Sequence, residues 1–189
     1  MHTPAVTAPP PDLDRWLDQA AVRTYHHRTA ATDGATLWRA AATVRIGESG
    51  VLGRLVRWRV PGARAEQTYR ELFTAAPFLA LDQGDAHLLA GLCGKIWTAR
   101  PALARLAAPS EFHDWRVPGT VRVLFAQWVA PADTGAALVS EVRVAPVDHG
   151  AALRLRTLWP LIGRFESLIS SEPLSLAVRR AESGRFRRA

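Results

Sequence analysis

Cysteine and lysine are almost missing from this chain of 189 residues. Cys93 is the only cysteine, which excludes an internal disulfide and a zinc site built from several cysteines. No apolar run approaches the roughly 18 residues that a membrane span needs. Residues 1–14 show no basic stretch followed by an apolar one, the pattern of a secretion signal. We therefore expect a cytoplasmic protein without a membrane span.

Because Lys95 is the only lysine, arginine carries nearly all of the positive charge behind a formal net charge of +7. Such a charge raises nucleic acid or an anionic surface as a partner. However, arginines at the C-terminus suit the end of a helix or a solvated tail, and nucleic-acid surfaces interleave basic with aromatic residues. We therefore expect no nucleic-acid partner. The clustered residues are Arg179, Arg180, Arg185, Arg187 and Arg188.

The composition is that of a folded domain. Apolar residues make up 48% of the chain and charged residues 22%, close to the averages of globular proteins. Residues 1–11 place several prolines among small residues, which predicts a flexible lead-in without packed structure. We expect a single domain over 12–183 and a basic tail over 184–189.

The first part of the domain is predicted to contain one strand among several helices. Asp33 stands where a side chain caps a helix, which predicts a helix beginning at residue 34. Pro61 and Gly62 predict a turn between two further helices. The predicted elements are a helix over 13–20, a strand over 22–30, and helices over 34–44, 51–58 and 65–73.

From residue 77 onward, short apolar stretches separated by glycine, proline, aspartate and serine predict antiparallel strands. A meander, in which each strand pairs with the next, is the simplest arrangement. Turns are expected at 83–85, 133–135 and 148–150. The predicted strands are 78–82, 87–97, 120–130, 136–145 and 151–158.

A long last helix is predicted to begin at Pro160, because proline is tolerated at the first helical position. Apolar residues then recur at helical spacing from Leu161 to Ile169. Pro173 removes an amide hydrogen bond and clashes with the preceding turn of a helix. We expect a kink or a break over 170–173.

Four motifs follow one another in a characteristic order: a strand with two glycines and a tryptophan, a Pro-Gly entry to the next strand, a strand with alternating polar residues, and a Leu-Trp pair before the last helix, where related chains have Tyr-Trp. In this order and spacing the chain resembles a bacterial branch of the polyketide cyclase and START-like superfamily, SRPBCC, over about residues 25–183. The motifs are Gly91-Leu92-Cys93-Gly94-Lys95-Ile96-Trp97, Pro118-Gly119, Val139-Ser140-Glu141-Val142-Arg143-Val144 and Leu158-Trp159.

The resemblance implies an α+β helix-grip fold, in which a curved antiparallel sheet wraps around a long C-terminal helix. Such a fold leaves a pocket for lipids, polyketides, hormones or other apolar molecules, and its members include cyclases, dehydratases and lipid carriers. Related chains tend to carry a Ser-x-x-Ile-Arg element in the last helix, whereas this sequence reads Ser167-Leu168-Ile169-Ser170. Function therefore has to be argued from the site.

Glu141 and Arg143 are the best candidate polar cluster. They lie two residues apart on a predicted strand, so their side chains leave on one face, where Arg122 of the neighbouring strand can join them. In one interpretation an arginine binds a carboxylate or enolate of the ligand while Glu141 orients it or acts as a base. The alternative interpretation is a structural ion pair on the sheet.

Histidine offers one further candidate and no metal site. His113 lies beside acidic residues in a predicted loop over 111–115, where it can act as an acid or base or simply be a solvated loop residue. His26 and His27 are consecutive on a predicted strand and point to opposite faces, so they cannot share a metal. We expect neither a metal nor a cofactor.

Several aromatic side chains are candidates for lining a cavity and stacking on a flat ligand, although packing in the core explains them equally well. Cys93 has no evident partner base, and we expect a buried, inert thiol. The candidate aromatic residues are Tyr25, Trp97, Phe125, Trp128, Trp159 and Phe165.

The sequence contains no phosphate-binding loop, nucleophile elbow or pair of catalytic carboxylates, so no motif chooses among the activities that the resemblance implies. Two functions therefore stay open. The first is binding of a hydrophobic or aromatic small molecule between the sheet and the C-terminal helix, with a homodimer as a possible assembly. The second is a polyketide cyclase or dehydratase that uses Glu141, Arg143 or His113 as its pocket acid, base or oxyanion partner.

Overall fold

The computed structural model describes residues 9–60, 62–98 and 102–186, and within them leaves the side chains of 52, 59, 160–170, 185 and 186 undescribed. One strand and four helices lead into a run of strands, and a long helix ends the domain. The helices are α1 Asp14–Leu17, α2 Gly34–Ala42, α3 Gly50–Arg59, α4 Tyr69–Phe73, α5 Pro109–His113 and α6 His149–Phe186. The strands are β1 Val22–Ala30, β2 Leu79–Gln83, β3 His87–Lys95, β4 Ala102–Leu103, β5 Val121–Ala132 and β6 Gly135–Pro146.

The strands form one antiparallel sheet in the order β1-β6-β5-β3-β2, with β4 added beside β3. The first strand of the chain pairs along its whole length with the last one, from Val22 opposite Val144 to Ala30 opposite Ala136. Among the described residues the sheet stays open, with β1 and β2 at its ends. The α+β class and the antiparallel sheet predicted from the sequence are therefore confirmed.

The predicted last strand over 151–158 is wrong, because these residues form the first turns of α6. Leucine and arginine alternate there and imitate the period of a strand. The structure instead buries Ala151 and Leu155, four residues apart, and exposes Leu153. Asp148, which the sequence places in a turn, caps the helix: its side chain accepts a hydrogen bond from the Ala151 amide at 2.7 Å.

The start predicted for the last helix is also wrong, since α6 begins at His149, well before Pro160. The helix continues through Ser170 and Pro173, so a break over 170–173 is not found, while a bend there stays a prediction. Residues 184–186, predicted as part of a tail, belong to the end of α6. None of the described helices combines the length and apolar character that crossing a membrane requires.

The sheet separates two apolar layers, which we call the helix face and the outer face. On the helix face the sheet packs against α2 and α6, with side chains such as Leu37, Val142 and Leu155. On the outer face it packs against α1 and α5, through Leu17 and Phe112. Because side chains alternate along a strand, each strand residue belongs to one layer or the other.

Candidate functional site

Four of the candidate site residues, two polar and two aromatic, lie on the outer face, away from α6. On β6, Val142 and Val144 pack in the helix-face layer, so Glu141 and Arg143 between and beside them point the other way. Trp128 belongs to the outer-face core, and Tyr25 meets its ring edge-on at a centroid distance of 6.3 Å. These residues therefore do not line a space between the sheet and α6, which corrects where we expected them.

Arg143 is a buried structural arginine. Its side chain is 8% exposed and donates to Glu141 Oε1 at 2.5 Å and to the Leu17 carbonyl at 2.8 Å. It also pairs with Asp14 at the start of α1, and this contact lowers the pKa of the Asp14 carboxyl. The guanidinium thus fastens α1 to the sheet, a contact that the sequence did not predict.

Arg122 and His113 meet on the same outer face, but through the backbone. Arg122 lies over the Phe112 ring, 5.9 Å from its centroid, and donates to the carbonyl of His113 at 3.1 Å. His113 is the exposed last residue of α5, so the loop predicted for it is in fact a short helix. All three candidate catalytic residues, His113, Glu141 and Arg143, accordingly lie outside the space between sheet and α6.

The remaining aromatic candidates are on the helix face. Phe125, Trp97 and Trp159 are partly buried against the core of that layer. Phe125 also belongs to an aromatic cluster with Phe73 of α4 and Phe78, in which the ring centroids lie 5.1 to 5.3 Å apart. The side chain of Phe165 lies outside the described residues.

The structure adds a polar cluster on the helix face that the sequence reading missed. Ser49 is 2% exposed and Tyr69 is 8% exposed; neither hydroxyl forms a hydrogen bond of ordinary geometry among the described residues, but the Ser49 hydroxyl is close enough to lower the pKa of Tyr69. The Glu172 carboxylate of α6 accepts a hydrogen bond from the amide of Gly50, the residue after Ser49, at 2.9 Å. A serine just before a helix reads as an ordinary cap, so no sequence signal marked this group.

Burial raises the pKa of the Tyr69 hydroxyl far above its ordinary value of 10.0, the nearby Ser49 hydroxyl offsets part of this rise, and the Glu172 carboxylate adds to it. The group is therefore a neutral hydrogen-bond donor throughout the neutral pH range.

Raising the pH above about 10 is expected to destabilise the protein through Tyr69. The folded state keeps this proton, whereas the unfolded chain loses it near pH 10, so the free energy of unfolding falls by about 1.4 kcal/mol between pH 9 and pH 11. Urea unfolding at both pH values measures the loss. Tyr69→Phe should remove this share and Tyr25→Phe should keep it, since Tyr25 is 56% exposed. An unchanged alkaline loss in Tyr69→Phe would contradict the assignment.

The glycine motif of β3 has a structural role. A Cβ on Gly91 would lie 2.6 Å from Cδ2 of the Phe112 ring, so the glycine makes room for α5. Gly94 adopts a φ of +143°, and a Cβ there would lie 2.3 Å from the Ala102 carbonyl oxygen of β4. Cys93 between them is fully buried, and burial raises the pKa of its thiol to about 12, which disfavours the thiolate form.

The basic C-terminal cluster is partly structural. Arg180 donates to both carboxylate oxygens of Glu48, at 2.8 and 2.9 Å, and to Thr43 Oγ1 at 2.8 Å. It therefore holds the end of α6 to the segment after α2. A shallow open depression beside it is lined by Leu176, Arg179 and Ser183 among others. In the part of the chain that the structure describes, no group of His, Cys, Asp and Glu side chains is arranged to hold a metal.

Comparisons with known proteins do not identify the chain. No protein-family model matches the sequence, and no curated protein matches it. A crystal structure of protein CV1439 from Chromobacterium violaceum is similar at 13% identity and a TM-score of 0.31, over 82% of this chain and 96% of that chain. At that TM-score the likeness carries no argument. The resemblance to SRPBCC proteins, the homodimer and the cytoplasmic location stay predictions.

Proposed function

We propose that this protein binds a hydrophobic or aromatic small molecule between its sheet and α6, in the manner of a helix-grip fold. The connectivity supports the proposal, because β6 leads directly into α6 and α6 then packs along β6 and β1. The two strands under α6 are the first and the last of the chain. Strands β5, β3 and β2 continue the helix face to one side of the two strands on which α6 packs.

The observation that carries the proposal is the incomplete burial of Phe125. This residue lies in the middle of β5, a central strand, and faces the helix layer together with Phe73. Its neighbours on the opposite face, Leu124 and Ala126, are fully or almost fully buried. A central aromatic ring that keeps accessible surface on the helix side indicates room for an apolar partner, and flat rings suit a flat ligand.

The first test is native mass spectrometry of the purified protein before and after mild organic extraction, which detects a co-purifying molecule. The second is equilibrium dialysis with 2-methylnaphthalene as an apolar probe. We expect saturable binding, which Phe125→Trp weakens at least tenfold by filling the space without removing apolar contacts. Tyr25→Phe on the outer face is the control and should bind normally. Absence of both a bound mass and saturable probe binding would rule out the proposal.

A cyclase or dehydratase activity has less support than binding. Of the residues expected to act as acid, base or oxyanion partner, His113 is the exposed last residue of α5, and Glu141 and Arg143 lie on the sheet face that α1 covers. Binding without turnover requires only apolar walls and a few orienting hydrogen bonds. Binding is therefore the function that the geometry supports best.

A further inference from the structure

Helix α3 presents large apolar side chains to solvent. Val51 is 49% exposed and Trp58 is 69% exposed, so both keep much of their apolar surface in water. They lie seven residues apart, close to two full turns, and the exposed Arg54 stands between them on the same side of the helix. The opposite side faces inward, since Gly53 is buried and Val56 packs in the helix-face core. We call Val51, Arg54 and Trp58 the α3 stripe.

The charge around the α3 stripe is of one sign. Residues 49–65 contain four arginines and neither aspartate nor glutamate. The acids on either side of this stretch are occupied by other arginines: Glu48 pairs with Arg180 of α6 at 2.8 Å, and Glu66 lies 3.5 Å from Arg64. The solvent side of α3 is therefore basic as well as apolar.

An anionic bilayer surface suits this combination of groups. Tryptophan and arginine favour the boundary between lipid headgroups and acyl chains, where the ring is buried and the guanidinium meets phosphate. Basic residues close to a membrane are attracted by its anionic lipids. A second copy of the chain fits poorly, because a two-fold contact would set the same arginines against each other. A protein partner would need about 800 Å² on each side, more than three side chains of one short helix offer.

We infer that the α3 stripe docks the protein on the surface of a membrane rich in anionic lipid, with Val51 and Trp58 entering the headgroup boundary and Arg54 contacting lipid phosphates. The half-buried Leu55 lies beside the stripe and extends its apolar part. Single-stranded nucleic acid would use the charge and the Trp58 ring but would leave Val51 and Leu55 without a role. With ten residues, α3 lies along the bilayer surface. Docking through α3 is independent of the proposed function, which concerns the space between the sheet and α6.

Co-sedimentation of the full-length protein with lipid vesicles tests this docking. Vesicles of phosphatidylcholine alone are compared with vesicles that also contain phosphatidylglycerol, each at low and at high salt. The wild-type protein is expected to bind the anionic vesicles about tenfold more tightly than the neutral ones, and salt should weaken that binding. Arg54→Glu should lower the affinity for anionic vesicles about tenfold by reversing a charge, and Trp58→Ala by a similar factor by removing apolar contact.

Arg15→Glu and Tyr25→Ala are the matched controls, because both residues are exposed on the outer-face side of the sheet, and both variants should bind anionic vesicles like the wild type. An equal loss in Arg15→Glu and Arg54→Glu would show that net charge alone attracts the protein. Equal binding to both kinds of vesicle, or to neither, would show that no anionic surface is recognised. A single-stranded oligonucleotide that binds more tightly than anionic vesicles, and loses affinity with Arg54→Glu, would assign α3 to nucleic acid. Each of these three results overturns the inference.

Discussion

Replacing Arg143 with alanine is expected to lower the free energy of unfolding by about 3 kcal/mol, because it removes one partner of a buried ion pair. Glu141, with 14% of its side chain exposed, would keep its charge without a counter-charge, and the Leu17 carbonyl would lose its donor. Urea unfolding followed by tryptophan fluorescence measures the change. Binding of 2-methylnaphthalene should be unaffected once the variant is folded, since Arg143 faces α1.

Two further variants separate this effect from a general loss of charge. Arg28→Ala is the control, since Arg28 is exposed on β1 and donates locally, to the His27 carbonyl at 2.9 Å, and it should cost no more than about 0.5 kcal/mol. The double variant Glu141→Leu with Arg143→Met should regain much of the lost stability, because no buried charge is left unpaired. A ligand affinity that falls with Arg143→Ala at full stability would instead support the catalytic or binding role first considered for it.

Phe112→Ala is expected to destabilise the protein by about 4 kcal/mol, the range for removing a buried aromatic ring. The ring is fully buried between Gly91 of β3 and the Arg122 side chain. It is the main apolar contribution of α5, a helix of five residues that has little stability of its own. Thermal and urea unfolding both report the loss, and Leu153→Ala, at a position 58% exposed, is the surface control.

The contact between Phe112 and Gly91 gives this prediction a second, independent form. Gly91→Ala in the wild type would place a methyl group against the ring and should cost about 2 kcal/mol by overpacking. In the Phe112→Ala background the same methyl group enters the vacated space and should cost little. A double-mutant cycle measures this coupling, and additive effects would show that the glycine is needed for another reason.

Much of the fold follows from the sequence pattern alone. β1 is found over the residues predicted for it, and the predicted strands 120–130 and 136–145 differ from β5 and β6 by one or two residues at each end. Alternation and turn residues are local signals, and they are enough for β2 with β3 and for β5 with β6, the neighbouring strands that short turns connect. The start predicted for α6 was wrong for the same local reason. Alternating leucine and arginine imitate a strand when the helix cap that Asp148 provides is not considered.

The candidate site was less accessible to sequence reasoning. Glu141 and Arg143 were correctly placed on one face of a strand, but strand periodicity does not say which face packs on α6. That choice depends on where the helices dock, and the α1 contact of Arg143 settles it. Ser49, Tyr69 and Glu172 are separated by long stretches of chain, so no spacing rule connects them.

The sequence by itself determined an α+β chain with an antiparallel sheet and a buried Cys93, because these depend on neighbouring residues and on composition. Only the tertiary structure decided that the Glu141–Arg143 pair fastens α1, that Gly91 accommodates Phe112, and that Glu172 of α6 accepts from the Gly50 amide at the start of α3. The reason is physical: a side chain's partners are set by which layers pack together, and that packing joins residues from distant parts of the chain.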